Sequence, residues 1–261
     1  MSERFDSLDK HYKIIDILNK TTTNLFWVNA VLSISVFFVN DLLDVKNFLL
    51  FVFIFTTLAY FFIDNYLTIF KIPNVEDKRR LHLLTNSFNV PLDNERTNMY
   101  YNNNLEPSLL KLGANVFENS LFAKRVTREM AKKERKKIVA FGFVFLIALS
   151  IRTTEIELIA ILAQTLFAST LLPAYIRLEV LHFKNKAIYE CLHHIFLFHD
   201  QNTNENDERL SAKLLDCFVK YESAKAYSGV KQDSKIFHKI NPEVTQEWEE
   251  IKRRLNVDGT N

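Results

Sequence analysis

The sequence predicts an all-α membrane protein, with four transmembrane helices in two hairpins and a helical cytosolic domain formed by a central insert and a C-terminal tail. Three observations lead there. Four apolar stretches, at 25–39, 48–63, 138–151 and 156–176, fall into two close pairs with almost no formal charge inside them. Basic residues gather at the outer ends of these pairs, while the short links inside each pair are not basic. Only 4 glycines stand in 261 residues, too few for a protein built on tight β turns. The expected organisation is an amphipathic N-terminal helix at 1–24, a membrane hairpin at 25–64, a cytosolic insert at 65–137, a second hairpin at 138–176, and a cytosolic extension and tail at 177–261.

A bilayer core about 30 Å thick needs about 20 helical residues to cross, with a range near 17 to 25. The second stretch reaches that length with its flanks and the fourth reaches it outright. The first needs its uncharged neighbours Thr21, Thr22, Thr23, Asn24 and Asn40. The third is the shortest and is bounded by Lys137 and Arg152, whose long side chains can snorkel to the interface. A mean hydropathy of −0.05 hides these stretches because more than half of the chain is polar or charged.

Net charge, at +2, is uninformative as a total, but its distribution sets an orientation. Lys124, Arg125, Arg128, Lys132, Lys133, Arg135, Lys136 and Lys137 precede the third span, opposed only by Glu129 and Glu134. Lys71, Lys78, Arg79 and Arg80 follow the second span. The hairpin links carry two Asp against one Lys at 41–46 and two Glu against one Arg at 152–157. Lys and Arg near span ends mark the cytoplasmic side, so both termini and the insert are expected inside and both hairpin tips outside. The first 24 residues lack a basic region leading straight into an apolar core, the pattern of a cleavable signal.

Phe5, Leu8, Tyr12, Ile15 and Leu18 recur at helical spacing, forming a face that either lies on the membrane or packs on the rest of the protein. The insert divides into a loop-rich stretch at 72–107, marked by Pro73, Pro91, Pro107 and an asparagine-rich run, and a helix that begins at Pro107 and runs through the basic segment into the third span. From 156 to 198 the only helix breaker is Pro173, so the fourth span is expected to continue as one helix roughly 65 Å long, kinked at the proline. A polar linker at 200–207 precedes a helix carrying Leu210, Leu214, Phe218 and Tyr221. A last helix with Val244, Trp248, Ile251 and Leu255 is expected to start at Asn241-Pro242.

The pattern excludes several chemistries. The chain has no phosphate-binding loop, dinucleotide fingerprint, HExxH or nucleophile elbow, and no catalytic residue, metal or cofactor is expected. Cys191, His193, His194, His199 and Asp200 cluster in sequence, but no helical face collects them as ligands. The two cysteines, Cys191 and Cys217, suggest no disulfide framework and are expected to stay reduced. Within the spans, Asn29, Ser33, Gln164, Thr165 and Ser169 must face protein or water, as interhelical hydrogen-bonding groups or as the lining of a pore between subunits. In the insert, Lys78, Arg79, Arg80 and Arg96 combine with Tyr100 and Tyr101, a mixture suited to phosphate contacts and base stacking and hence to a small cyclic nucleotide; a protein partner fits equally. Basic residues at a span end are also expected from topology alone. No nucleic-acid polymer is expected as a partner.

Two membrane hairpins, a cytosolic insert and a helical tail, in that order, resemble the S-4TM family, the four-transmembrane effectors associated with bacterial SMODS nucleotidyltransferases. Members carry, after the second span, an acidic residue and a hydrophobic pair leading into a Leu-Pro-Trp-like turn. The corresponding stretch here is Leu83-Leu84-Thr85-Asn86-Ser87-Phe88-Asn89-Val90-Pro91-Leu92, with Asn86 or Thr85 in place of the acid and Leu92 in place of the aromatic. The resemblance implies a homo-oligomeric effector of the bacterial inner membrane. It would be triggered by a cyclic nucleotide or a defence-system partner and would permeabilise or disrupt the membrane to arrest an infected cell. Two other classes stay open: a non-enzymatic scaffold or sensor that recruits a cytosolic partner, and a small housekeeping channel.

Overall fold

Among the described residues the protein is almost entirely helical. The structure, a computed structural model, describes residues 5–6, 8–39, 42–92, 97–98, 103–152, 156–163, 171–198 and 208–257. Its helices are α1 (Asp9–Phe38), α2 (Leu43–Asn65), α3 (Ile72–Phe88), α4 (Leu109–Ser150), α5 (Ile156–Ala163), α6 (Leu171–Phe198), α7 (Glu208–Ser228) and α8 (Ser234–Arg254). One antiparallel pairing of two-residue strands, β1 (Phe5–Asp6) and β2 (Thr97–Asn98), sets Phe5 opposite Asn98 and Asp6 opposite Thr97. The chain divides into two compact units. The first comprises Met1–Lys10, Pro73–Ala131 and Arg177–Asn261, and the second His11–Ile72 and Lys132–Ile176.

In the second unit, α1 is one helix of 30 residues with no break at 24–25. Three consecutive threonines stay helical because their hydroxyls bond back to the preceding turn: Thr21 to the Ile17 carbonyl at 3.0 Å, Thr22 and Thr23 to that of Asn19 at 3.0 and 2.8 Å. Phe5, expected on this helix, lies in β1 instead. α2 has 23 residues, about 35 Å at 1.5 Å per residue, enough for a bilayer core. Trp27 of α1 meets Phe141 of α4 with ring centres 6.2 Å apart, and Arg135 of α4 donates to the Tyr175 hydroxyl of α6 at 3.0 Å.

The helix does not end where α2 does. Tyr66–Lys71 forms a π-helical turn that leads directly into α3, so 72–88, expected as loop, is helical. Pro73 is the reason for both the expectation and the outcome. Its ring and missing N–H oppose an ordinary α turn, and the wider π turn absorbs the mismatch, with the Ile72 N–H donating to the Leu67 carbonyl. Asn89 then ends the helix in the left-handed region at φ 53°.

In the first unit, α4 starts as expected near Pro107, but Ser108 is the cap: its hydroxyl accepts from the Lys111 N–H at 3.2 Å. α7 ends at Gly229, whose φ of 59° suits glycine. α8 begins at Ser234, not at Asn241-Pro242, because Asp233 caps it by accepting from the N–H groups of Lys235 at 2.8 Å and Ile236 at 3.2 Å; Pro242 is carried inside the helix. The core centres on Phe117. Its ring stacks on Phe196 at 5.5 Å and meets Trp248 edge-on at 5.3 Å, while Tyr189 lies 5.3 Å away. Leu83, Leu112, Leu121, Leu181, Leu192, Leu214 and Tyr221 complete it, so α3, α4, α6, α7 and α8 all contribute buried side chains. Residues 164–170 and the linker at 200–207 lie outside the described residues, so the expected unbroken helix from 156 to 198 is described only as α5 and α6.

Candidate functional site

The dominant chemical feature of the second unit is bare apolar surface. No residue of α2 is buried, and Phe48, Phe51 and Phe55 are 65%, 70% and 66% exposed. Ile54, Leu58, Phe61 and Phe62 are exposed as well and share one broad face of the helix with these phenylalanines, while Val52, Phe53, Thr56 and Ile63 on the other side are half-buried. Withdrawing one such side chain from water is worth roughly 1.5–3 kcal/mol. The helix Leu43–Phe88 is long and apolar enough to cross a membrane, and none of its apolar window is buried inside the protein. A core helix of similar composition would be covered. Exposed apolar side chains recur on α1 (Val28, Val31, Ile34, Phe38) and on the second half of α4 (Val139, Phe143, Leu146, Ile147).

Of the polar residues expected to face protein or water, Asn29 bridges α1 and α2. Its side-chain oxygen accepts the Thr56 hydroxyl proton. The hydroxyl of Ser33 turns back onto its own helix, donating to the Ala30 carbonyl at 2.9 Å, as that of Ser35 does to Val31 at 2.9 Å. Thr56 was missed by sequence reasoning, since a threonine amid phenylalanines carries no signal until its partner is known. Gln164, Thr165 and Ser169 lie outside the described residues.

The residues expected to hold a ligand separate. Lys78, Arg79 and Arg80 share α3, but Arg79 turns into the first unit and is 4% exposed. Its Nε donates to Glu76 at 2.7 Å and its terminal nitrogen to both Glu222 oxygens at 2.6 and 2.7 Å. Lys225 lies 3.3 Å from the same Glu76 carboxylate, and the Arg79 and Lys225 cations stand 5.4 and 5.6 Å from the Tyr221 ring centre. Two cations and two carboxylates meet here and pin α3 to α7. Burial works to raise the Glu76 carboxyl, but Lys225 and Arg79 outweigh it and hold it below its ordinary value. Burial pushes the Tyr221 hydroxyl up. Arg80 pairs with Asp77 on the same helix face. Arg96, Tyr100 and Tyr101 lie outside the described residues.

Three arrangements were not legible in the sequence. Asn115, fully buried on α4, donates to the Asn86 side-chain oxygen at 3.0 Å and the Ser87 hydroxyl at 2.9 Å, and accepts from Asn103 at 2.6 Å. This network ties α3 to α4 just where the quoted motif lies. Lys124 of α4 sits 3.4 Å above the Tyr189 ring on α6, and next to them Arg254 of α8 donates to the His193 ring at 3.2 Å. Burial lowers the Lys124 ammonium, and burial together with the Arg254 charge lowers the His193 imidazole. The third is a pair of thiols, Cys191 on α6 and Cys217 on α7, with sulfurs 3.0 Å apart.

The Cys191, His193 and His194 cluster does not converge. Cys191 faces Cys217, His193 engages Arg254, and the His194 ring stacks on Phe198 at 6.2 Å. His199 and Asp200 lie outside the described residues. Among the described residues no group of three or more His, Cys, Asp or Glu side chains is placed to hold a metal ion. Compared with models of protein families, with curated proteins and with solved structures, the chain matches none.

Proposed function

We propose that the protein is a multi-pass effector of a bacterial inner membrane, crossing the bilayer four times with both termini and the central insert in the cytoplasm. In this reading it assembles into a homo-oligomer and permeabilises or disrupts the membrane when a nucleotide signal or a defence-system partner engages its cytosolic part. The single observation that carries the membrane half is the broad uncovered apolar face of α2, a helix with no buried residue. The exposed apolar faces of α1 and the second half of α4 support further crossings, and the exposed Lys132, Lys133, Arg135 and Lys136 ahead of that face support the orientation. The effector half rests on the resemblance to the S-4TM family and on the absence of any recognisable catalytic motif in the sequence.

Co-expression with a nucleotide-synthesising enzyme, while membrane potential is followed by a dye, tests the proposal. Depolarisation that requires both genes is expected. An unchanged potential at saturating signal, with one soluble protein recovered stoichiometrically from sealed membranes, would replace the effector with a recruiting scaffold.

A further inference from the structure

Cys191 and Cys217 are the chain's only cysteines, yet they come from different helices and meet sulfur to sulfur at 3.0 Å. Both thiols are free, Cys191 exposed and Cys217 fully buried. A disulfide is about 2.05 Å long, so closure asks the two sulfurs to approach by roughly 1 Å. We infer that the two thiols form a peroxide-reactive site in which exposed Cys191 is oxidised first and buried Cys217 resolves it to a disulfide between α6 and α7. The inference does not depend on the effector reading.

The order follows from access. The Cys191 thiolate attacks a hydroperoxide; an S–O bond forms, the O–O bond breaks, and the leaving oxygen departs as water or alcohol, leaving a sulfenic acid. The Cys217 sulfur then attacks the Cys191 sulfur. The S–S bond forms, the S–O bond breaks, and the Cys217 proton leaves with the hydroxide as water. Two thiols lose two electrons in all and the peroxide gains them. Burial, reinforced by the neighbouring Cys191, pushes the Cys217 thiol up to about 12, so it has little thiolate with which to meet a peroxide itself. Its proximity to Cys191 is what allows it to act second.

The product staples two helices whose residues share one hydrophobic core: Ile188 and Leu192 on α6, Leu214 and Tyr221 on α7. Most intracellular disulfides are catalytic or sensing rather than structural, which fits a pair with one sulfur open to solvent.

The test uses the full chain, reduced and purified in detergent, then treated with hydrogen peroxide. The expected results are a mass lower by two hydrogens, loss of both free thiols, and a peptide bridging 191 and 217 within one chain, reversed by a dithiol reductant. With Cys217→Ser, a cyclic 1,3-dione should trap a sulfenic acid on Cys191. With Cys191→Ser, Cys217 should remain a thiol at the same dose. Two free thiols persisting in the wild-type chain, or disulfides formed only between chains, would overturn the inference. So would oxidation of Cys217 in the absence of Cys191. The wild-type peptide map decides the matter even if a serine variant fails to fold.

Discussion

Gly113 sits inside α4 and against α7, and replacing it with alanine pits two known effects against each other. Glycine in a helix interior costs about 1 kcal/mol relative to alanine, so propensity alone predicts a gain of that size. A Cβ at Gly113 would stand 2.5 Å from one Leu214 methyl and 3.3 Å from its Cγ. Carbon atoms prefer roughly 3.5–4.0 Å, so the methyl must retreat by about 1 Å. Leu214 is 1% exposed and is hemmed in by the core, where overpacking costs about 1–3 kcal/mol. Sterics should therefore win, leaving Gly113→Ala destabilising by about 1 kcal/mol. The sign should reverse once the obstacle is gone. Leu214→Ala alone costs about 2–5 kcal/mol, and adding Gly113→Ala to it should recover about 1 kcal/mol from propensity and partial refilling of the space. Thermal unfolding in detergent, read through buried Trp248 in a Trp27→Phe background, is the assay. Shifts of roughly 2–4 °C in opposite directions are expected in the two backgrounds. Equal shifts of the same sign would refute the close approach of α4 and α7.

Arg79→Met should cost about 3–5 kcal/mol in denaturant unfolding because it leaves the Glu222 carboxylate buried without its cation; combining it with Glu222→Met should restore most of the loss, and additive losses would contradict the pairing. Since the Glu76 carboxyl is held below its ordinary value, its contribution is present above the ordinary carboxylate range and disappears as pH falls through the lowered value. Melting temperature should therefore drop on acidification, and Glu76→Gln should lower stability at neutral pH while flattening that acid limb; an unchanged limb would remove Glu76 from the account. Thr56→Val and Asn29→Ala should each cost about 0.5–1.5 kcal/mol in lipid bicelles and be non-additive, whereas a full additive loss in the double variant would show that the two side chains do not bond.

The sequence exposed what depends on local pattern and hid what depends on meeting. The phenylalanine-rich run of α2, the long α4 and the Val244–Trp248–Ile251 stripe of α8 were legible because apolar periodicity and length are local properties. Pro73 and Pro242 misled for one shared reason. Proline signals a helix boundary on average, but a π turn precedes Pro73, and α8, capped by Asp233, has already begun at Ser234 and runs through Pro242. Arg79 read as a ligand residue because a basic run after a span looks exposed, and nothing in the linear sequence announces that Glu222, 143 positions away, will bury it. Asn29 was legible as a polar group in need of a partner; Thr56 as that partner was not. The thiol pair escaped because its members are 26 positions apart and only the packing of α6 on α7 joins them.

The central claim is that α2 and its neighbours are solvated by lipid rather than by protein or water. Native membranes carrying the full chain, labelled with a phospholipid that bears a photoactivatable carbene in its acyl chain, test it directly. Adducts should map to Phe48, Phe51, Phe55 and Phe62, on the exposed face of α2, and spare the buried Leu112, Phe117 and Trp248. A chain that remains monodisperse without detergent, with no acyl-chain adduct on α2, would contradict the account.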